Sequence, residues 1–327
     1  MYNREGFRMP QQNKTAPRAY AAAHFALELD DKKDVGLFRS IEGGCVKVDV
    51  MTYQQGGNYD RLKYIGKQKY EDIKLQVGMA MSKPFYDWIT NFFRGNAIRK
   101  SGAIIACDFY YKRRAERKFT EAMIKELTFP KLDATDKNPA YMNIALGVET
   151  IEFKQGDGKV LESPGKGFEG QKLWTSCNFR FDLDGFSDAC RRVTKIDAFT
   201  IKQNIVEYNR GGRQSAEKTP SAIEWPNLSF YVPEADAQPF FDHFNKRAMV
   251  DKREQMSHQD KASAKHTGQI VTYDNGGRPL FTVEFFESEI IAVTPDKSDA
   301  GSEEIKQVKI DLFCEWMSFE YAAMEVM

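Results

Sequence analysis

Val46-Lys47-Val48-Asp49-Val50-Met51-Thr52-Tyr53-Gln54-Gln55-Gly56-Gly57-Asn58 is the stretch on which the fold of this chain turns. Three valines alternate with two charged residues. That period of two belongs to a half-buried β-strand, with one face on a core and the other in water. Gly56-Gly57 then breaks the run as a turn, as Gly43-Gly44 does before it. The pattern continues outward in both directions. Phe25, Leu27 and Leu29 alternate after His24, and Ile73, Leu75 and Val77 alternate with Asp72, Lys74 and Gln76. Further strand-like stretches run over 103–111, 118–127 and 141–153. One helix interrupts them, over 82–93. Ser82 stands at its N-cap, Pro84 sits where a missing N–H costs nothing, and Phe85, Trp88, Ile89 and Phe92 fall at i, i+3, i+4 and i+7. The first half therefore reads as mainly antiparallel β with one packed helix.

The second half repeats the first. Tyr53-Gln54-Gln55-Gly56-Gly57 matches Tyr208-Asn209-Arg210-Gly211-Gly212, and Pro84-Phe85-Tyr86-Asp87-Trp88 matches Pro239-Phe240-Phe241-Asp242-His243. Residues 35–88 align with 190–243 without a gap at 11 identities in 54 positions, and the conservative exchanges, such as Val46 with Ile201, fall on the apolar face. His24–Asp30 matches Asn178–Asp184. Further on, Phe119-Thr120 is set against Phe281-Thr282, and Ile151–Phe153 against Phe319–Tyr321. The expected organisation is an N-terminal arm over 1–23, a first domain over 24–153, a Gly- and Pro-rich linker over 154–177 and a second domain over 178–327.

Lys+Arg and Asp+Glu both number 47. This balance argues against a protein whose main task is neutralising nucleic-acid phosphates. No apolar run is long enough for a transmembrane helix, and no apolar segment of a secretory signal opens the chain. The 24 Phe allow a large core. Five cysteines, with no CxxC spacing, suit buried free thiols rather than a disulfide framework or a zinc ribbon. His24, His243, His258 and His266 are scattered, no GxSxG is present, and Ser163-Pro164-Gly165-Lys166-Gly167 lacks the phosphate-cradle framework. No catalytic residue, metal ligand or cofactor is expected. The run Lys112, Arg113, Arg114, Arg117 and Lys118, beside Phe109, Tyr110 and Tyr111, is either a charged hairpin tip or a surface facing a lumen or an acidic partner.

Gly36–Gly44, Val46–Val50, Tyr53–Asn58, Lys69–Gly78, the helix through Trp88 and Val148–Phe153 together resemble contractile-phage tail-tube proteins. The second half shares this resemblance through the repeat, with Trp88 replaced by His243 and Gly78 by Pro233. The resemblance implies two tandem tube-like β-sandwich or barrel domains, each with one helix. It implies a structural, self-assembling subunit of the inner tail tube of a contractile phage or injection particle, assembled in the bacterial cytoplasm. Six such domains would form a ring around a lumen, from three chains with pseudo-six-fold symmetry or from six. A baseplate hub or tube-initiating adaptor is the alternative, and a two-domain ligand-binding protein or enzyme the more distant one. The expected partners are further copies, sheath and baseplate proteins, and DNA or effector cargo in the lumen. Tyr53–Asn58 and Tyr208–Gly212 are the expected interface turns. Phe85, Trp88, Phe240 and His243 are expected to pack the helices.

Overall fold

In the computed structural model, which describes residues 21–22, 24–30, 32–54, 56, 61–79, 81–161, 174–211, 215–248, 265–296 and 305–322, the alternating segments are strands. β1 (His24–Leu29), β2 (Lys32–Phe38), β3 (Ser40–Gly43), β4 (Val46–Gln54), β5 (Arg61–Tyr70) and β6 (Ile73–Val77) lead into α1 (Lys83–Phe93). β7 (Lys100–Cys107), β8 (Arg113–Phe129), β9 (Leu132–Asp133), β10 (Met142–Gly147) and β11 (Thr150–Gln155) follow. The second half runs β12 (Trp174–Leu183), α2 (Ser187–Cys190), β13 (Lys195–Ile196), β14 (Phe199–Tyr208), β15 (Glu217–Glu224), β16 (Leu228–Pro233) and α3 (Gln238–Ala248). It ends with β17 (His266–Asp274), β18 (Pro279–Pro295), β19 (Gln307–Phe313) and β20 (Trp316–Tyr321). The chain is mainly β, and its strands pair antiparallel.

β8 and β18 organise the two halves. The first part of β8 pairs with β7 and β11, and its last part pairs with β10. The change of partner falls at a bulge where Glu121 has φ +51°. A bulged residue bends a strand, so one strand serves two sheets. β18 repeats this with β17, β20 and β19, and Glu287 has φ +52°. Between the two sheets of the first half, Leu27, Leu29 and Phe119 meet Ile73, Leu75 and Leu127. The apolar stripe of α1 closes this core, with Phe85, Trp88, Ile89 and Phe92 buried. Ser82 holds the N-cap position, but its hydroxyl makes no capping hydrogen bond.

Gly102 and Gly268 occupy matching places in β7 and β17. A Cβ on Gly102 would lie 2.1 Å from the Glu28 carbonyl oxygen and 2.9 Å from the Phe119 ring. On Gly268 it would lie 2.3 Å from the Phe285 ring. Each glycine is thus roofed by the phenylalanine opposite it. These contacts, with the pairing of Ile151 to Phe119 and of Met317 to Phe285, set Phe119 against Phe285 and Ile151 against Met317. The sequence match of Phe119 with Phe281 and of Ile151 with Phe319 is therefore corrected by four and two residues. Both slips are even, and an even slip keeps every side chain on its face, so alternation alone does not detect it.

The segment expected as a linker over 154–177 is shorter. Lys154 and Gln155 extend β11 along β8, and Trp174–Cys177 already belong to β12. Leu161 is buried, and its N–H donates to the Tyr111 carbonyl at 2.9 Å. Residues 162–173 lie outside the described residues, as does the expected arm apart from Ala21 and Ala22. A larger correction concerns β4. Every one of its residues is exposed, so the valine face that the alternation assigns to a core meets none among the described residues.

Candidate assembly interface

The two halves of the chain are joined by strand pairing. β14, from the second half, adds to the outer edge of β8, with Phe199, Thr200, Ile201 and Lys202 opposite Phe129, Thr128, Leu127 and Glu126. β13 pairs with β9 in the same antiparallel sense. The Thr128 and Thr200 hydroxyls meet at 2.8 Å. Inside the joint the Phe129 ring stacks on Phe199 at 4.9 Å and approaches Phe281 at 5.7 Å and Phe319 at 6.3 Å. α1 seals the same joint. Tyr86 stacks on Tyr321 at 3.9 Å, and Phe93 lies 5.6 Å from Phe319. Burial pushes the Tyr86 phenol well above its ordinary pKa, so it stays neutral. Aromatic rings contribute much area per residue, so this cluster carries much of the joint's stability.

A polar clamp fixes the hairpin formed by β14 and β15. The buried Glu149 carboxylate accepts from Arg99 at 3.0 Å and from the Lys218 backbone N–H at 3.1 Å. Arg99 also donates to the Lys218 carbonyl at 2.6 Å, and the Lys218 ammonium lies 3.6 Å from Asp72. Ile205 of β14 rests on Gly147, where a Cβ would come within 2.8 Å of it. The cleft beside this clamp, lined by Asp72, Lys125, Glu207 and Lys218 among others, holds opposed charges. Lys125 pairs with Asp72 at 2.6 Å, and Lys218 lies 4.0 Å from Glu207.

The predicted turns lie away from this joint. Tyr53 and Gln54 end the exposed β4, and Gly56 is also exposed, while Gln55, Gly57 and Asn58 lie outside the described residues. Tyr208, Asn209, Arg210 and Gly211 are exposed at the far end of β14, Arg210 lies 3.6 Å from Glu217, and Gly212 lies outside the described residues. The helix residues behave differently from one another. Phe85, Trp88 and Phe240 are buried, and the Trp88 indole N–H donates to the Ile98 carbonyl at 2.9 Å. His243 takes the place of Trp88 in α3 and meets the His266 ring at 4.9 Å. Desolvation, with His266 beside it, lowers the His243 pKa to about 4, so it is neutral at pH 7.

The basic run is largely spent on its own chain. Arg113 pairs with Glu28, and Arg114 forks onto Asp108 at 2.7 and 2.9 Å. Arg117 donates to the Gly43 carbonyl at 3.2 Å and covers the Phe153 ring. Lys118 lies 3.5 Å from Glu116, and Lys112 is exposed beside the projecting Phe109 and Tyr110. Cys107, Cys190 and Cys314 are buried, with thiols pushed up to about 11, 12 and 12. Such thiols are poor nucleophiles. Among the described residues no group of three or more His, Cys, Asp or Glu is placed to hold a metal ion.

Sequence reasoning missed Phe129, Phe199, Arg99 and Glu149. Phe199 aligns with Gly44 in the repeat, so the comparison of the two halves hides it.

Residues 21–152 match the family model described as T4-like virus tail tube protein gp19. No curated protein matches the chain. Solved structures similar to it include the PVC sheath–tube complex of an extracellular contractile injection system. It is 19% identical, covers 43% of this chain and 94% of that one, and has a TM-score of 0.37. The tube-terminating cap of the anti-feeding prophage (AFP) is 19% identical over 44% of this chain and 89% of that one, at 0.32. A mutant Hcp1 protein from E. coli EAEC 042 is 11% identical over 44% and 91%, at 0.24. Likeness at that level carries no inference about function. The family match covers β1 to β10 and the first half of β11, and so includes Phe129, Arg99 and Glu149 of the joint. Over residues 21–152 the chain is thus similar to the T4-like virus tail tube protein family.

Proposed function

We propose that the chain is a structural subunit of the inner tail tube of a contractile phage or phage-like injection particle. It carries two tandem tube-like domains, joins further copies into a ring around a lumen, and stacks those rings into a tube. The pairing of β14 with β8 is the observation that carries this reading. A ring whose wall is a continuous sheet needs a strand of one domain to extend the sheet of its neighbour, and this joint is of that kind. The family match of the first domain supplies the biological setting. Three chains would provide six domains with pseudo-six-fold symmetry.

No catalysis is proposed: the charges that line the cleft are paired with one another, and the buried thiols are held protonated. The partners are sheath and baseplate proteins outside the tube and DNA or effector cargo inside it, after assembly in the bacterial cytoplasm. The exposed turns at Tyr53 and Tyr208 stand at the ends of the hairpins, where contacts between stacked rings would form. The test is negative-stain microscopy of the purified chain with its mass measured in parallel. Open tubes support the tube subunit. Single rings that never stack identify a baseplate hub or tube-initiating adaptor. A monodisperse monomer at high concentration overturns both.

A further inference from the structure

The joint within the chain has an unoccupied twin. Matching the halves by strand register sets β4–β5 against β14–β15 and the last part of β8 against the last part of β18. In the first half the outer edge of β8 carries β14. In the second half the corresponding edge of β18, over Ile291–Pro295, carries no strand among the described residues. Among the described residues the β4–β5 hairpin pairs only with itself. One edge lacks a hairpin and one hairpin lacks an edge.

The side chains agree with the backbone. Ile201 is 0% exposed in the joint, and its counterpart Val46 is 36% exposed. Gln203 is 4% exposed and its counterpart Val48 43%. Phe319, which α1 covers, is 1% exposed, whereas its counterpart Phe153 on β11 is 55% exposed. The clamp is also repeated. Arg99, lying between Glu121 and Glu149, corresponds to Lys265, which lies 3.3 Å from Glu287 and pairs with Glu315. The first of these clamps holds the backbone of Lys218. The second stands at the free edge, and the counterpart of Lys218 is Lys63 on the unattached hairpin.

We propose that the β4–β5 hairpin of one chain adds to the free edge of β18 in a second copy, in the register β14 adopts on β8. Cys45, Val46 and Lys47 then lie opposite Thr294, Val293 and Ala292. The Lys265–Glu287–Glu315 clamp receives the backbone at Lys63. The contact is head-to-tail, since each chain offers one hairpin and one edge, and such contacts close into a ring or run on as a filament. The inference deepens the proposed ring by naming the surface that closes it, and it rests on that reading.

Cys45 gives a direct test. It is exposed, and its counterpart Thr200 touches the counterpart of Thr294. Directly opposite residues of antiparallel strands have Cα separations of about 4.5–5.5 Å, within disulfide reach. The full chain carrying Thr294→Cys is assembled, oxidised, run without reductant and mapped by peptide mass spectrometry, with a Cys45→Ser/Thr294→Cys chain as control. The expected result is a disulfide between Cys45 of one chain and the thiol introduced at position 294 of the next. It comes with a covalent species that stops at the chain count of the ring, and both are lost in the control. Rings on the grid without that link overturn this pairing and leave the ring reading standing. No rings and no link overturn the ring reading, and the pairing with it. In the unaltered chain, amide exchange of Val46–Val50 and Ile291–Thr294 slows on assembly. Unchanged exchange at both in assembled rings overturns the pairing whatever the variant does.

Discussion

Phe129 touches more of the joint than any sequence pattern announces. Its ring meets Phe199, Phe281 and Phe319 from the second half and Phe93 from α1. Removing it leaves a cavity walled by four rings. We expect Phe129→Ala to cost about 3–5 kcal/mol in chemical unfolding. Gly102 makes the opposite kind of prediction, since a methyl there has no room between the Glu28 carbonyl and the Phe119 ring. Gly102→Ala is expected to cost about 1–3 kcal/mol by the same measurement. His243 and His266 give a pH signature. Burial lowers both pKa values, His243 to about 4, so the unfolded chain binds protons that the folded chain refuses. Their contribution is intact above the ordinary histidine range and is lost as the pH falls from about 6.5 towards 4. Denaturant midpoints across that window are expected to fall less steeply in His243→Phe than in the unaltered chain. At this scale the helix was legible and the joint was not. Phe85 and Trp88 declare themselves by spacing, because one helix face must be apolar. Phe129 ends a long strand and finds its partners far along the chain.

At the scale of elements, alternation located strands reliably but left open what each one packs against. β1 and β6 show the same period as β4, yet they face a core within the chain, and β4 faces none among the described residues. Alternation reports that a strand needs a covered face. It does not report whether the cover comes from the same chain. It was also blind to the even slips in β18 and β20 for the reason given by pleating. The basic run shows a third limit, since a string of charges in sequence carries no record of Glu28 and Asp108 lying beside it in space. The polar clamp yields a prediction for its own hairpin. Glu149→Gln weakens the bonds to Arg99 and to the Lys218 amide. We expect amide exchange over Glu217–Glu224 to speed roughly tenfold or more, since hydrogen bonds to charged groups are worth about 1.5–3 kcal/mol. Unchanged exchange there would show that the aromatic cluster alone holds the hairpin.

In the whole molecule two like halves are fused by the pairing of β14 with β8, and the proposed assembly matches the β4–β5 hairpin of one copy to the β18 edge of another. The repeat was readable because 35–88 and 190–243 align without a gap. The fusion itself was not, because a strand crossing from one half to the other leaves no mark in sequence spacing. If the exposed valines serve assembly rather than folding, substituting one separates the two properties. Val48→Lys is expected to leave the stability of the single chain within about 0.5 kcal/mol and to abolish higher species in sedimentation velocity. The central claim is that copies of this chain close into a ring whose joints within and between chains are alike. Cryo-electron microscopy of the purified full chain tests it most directly. The account predicts rings with a central channel whose wall shows twice as many equivalent lobes as chains. A monomer, or a two-fold dimer burying the same face on both partners, would contradict it.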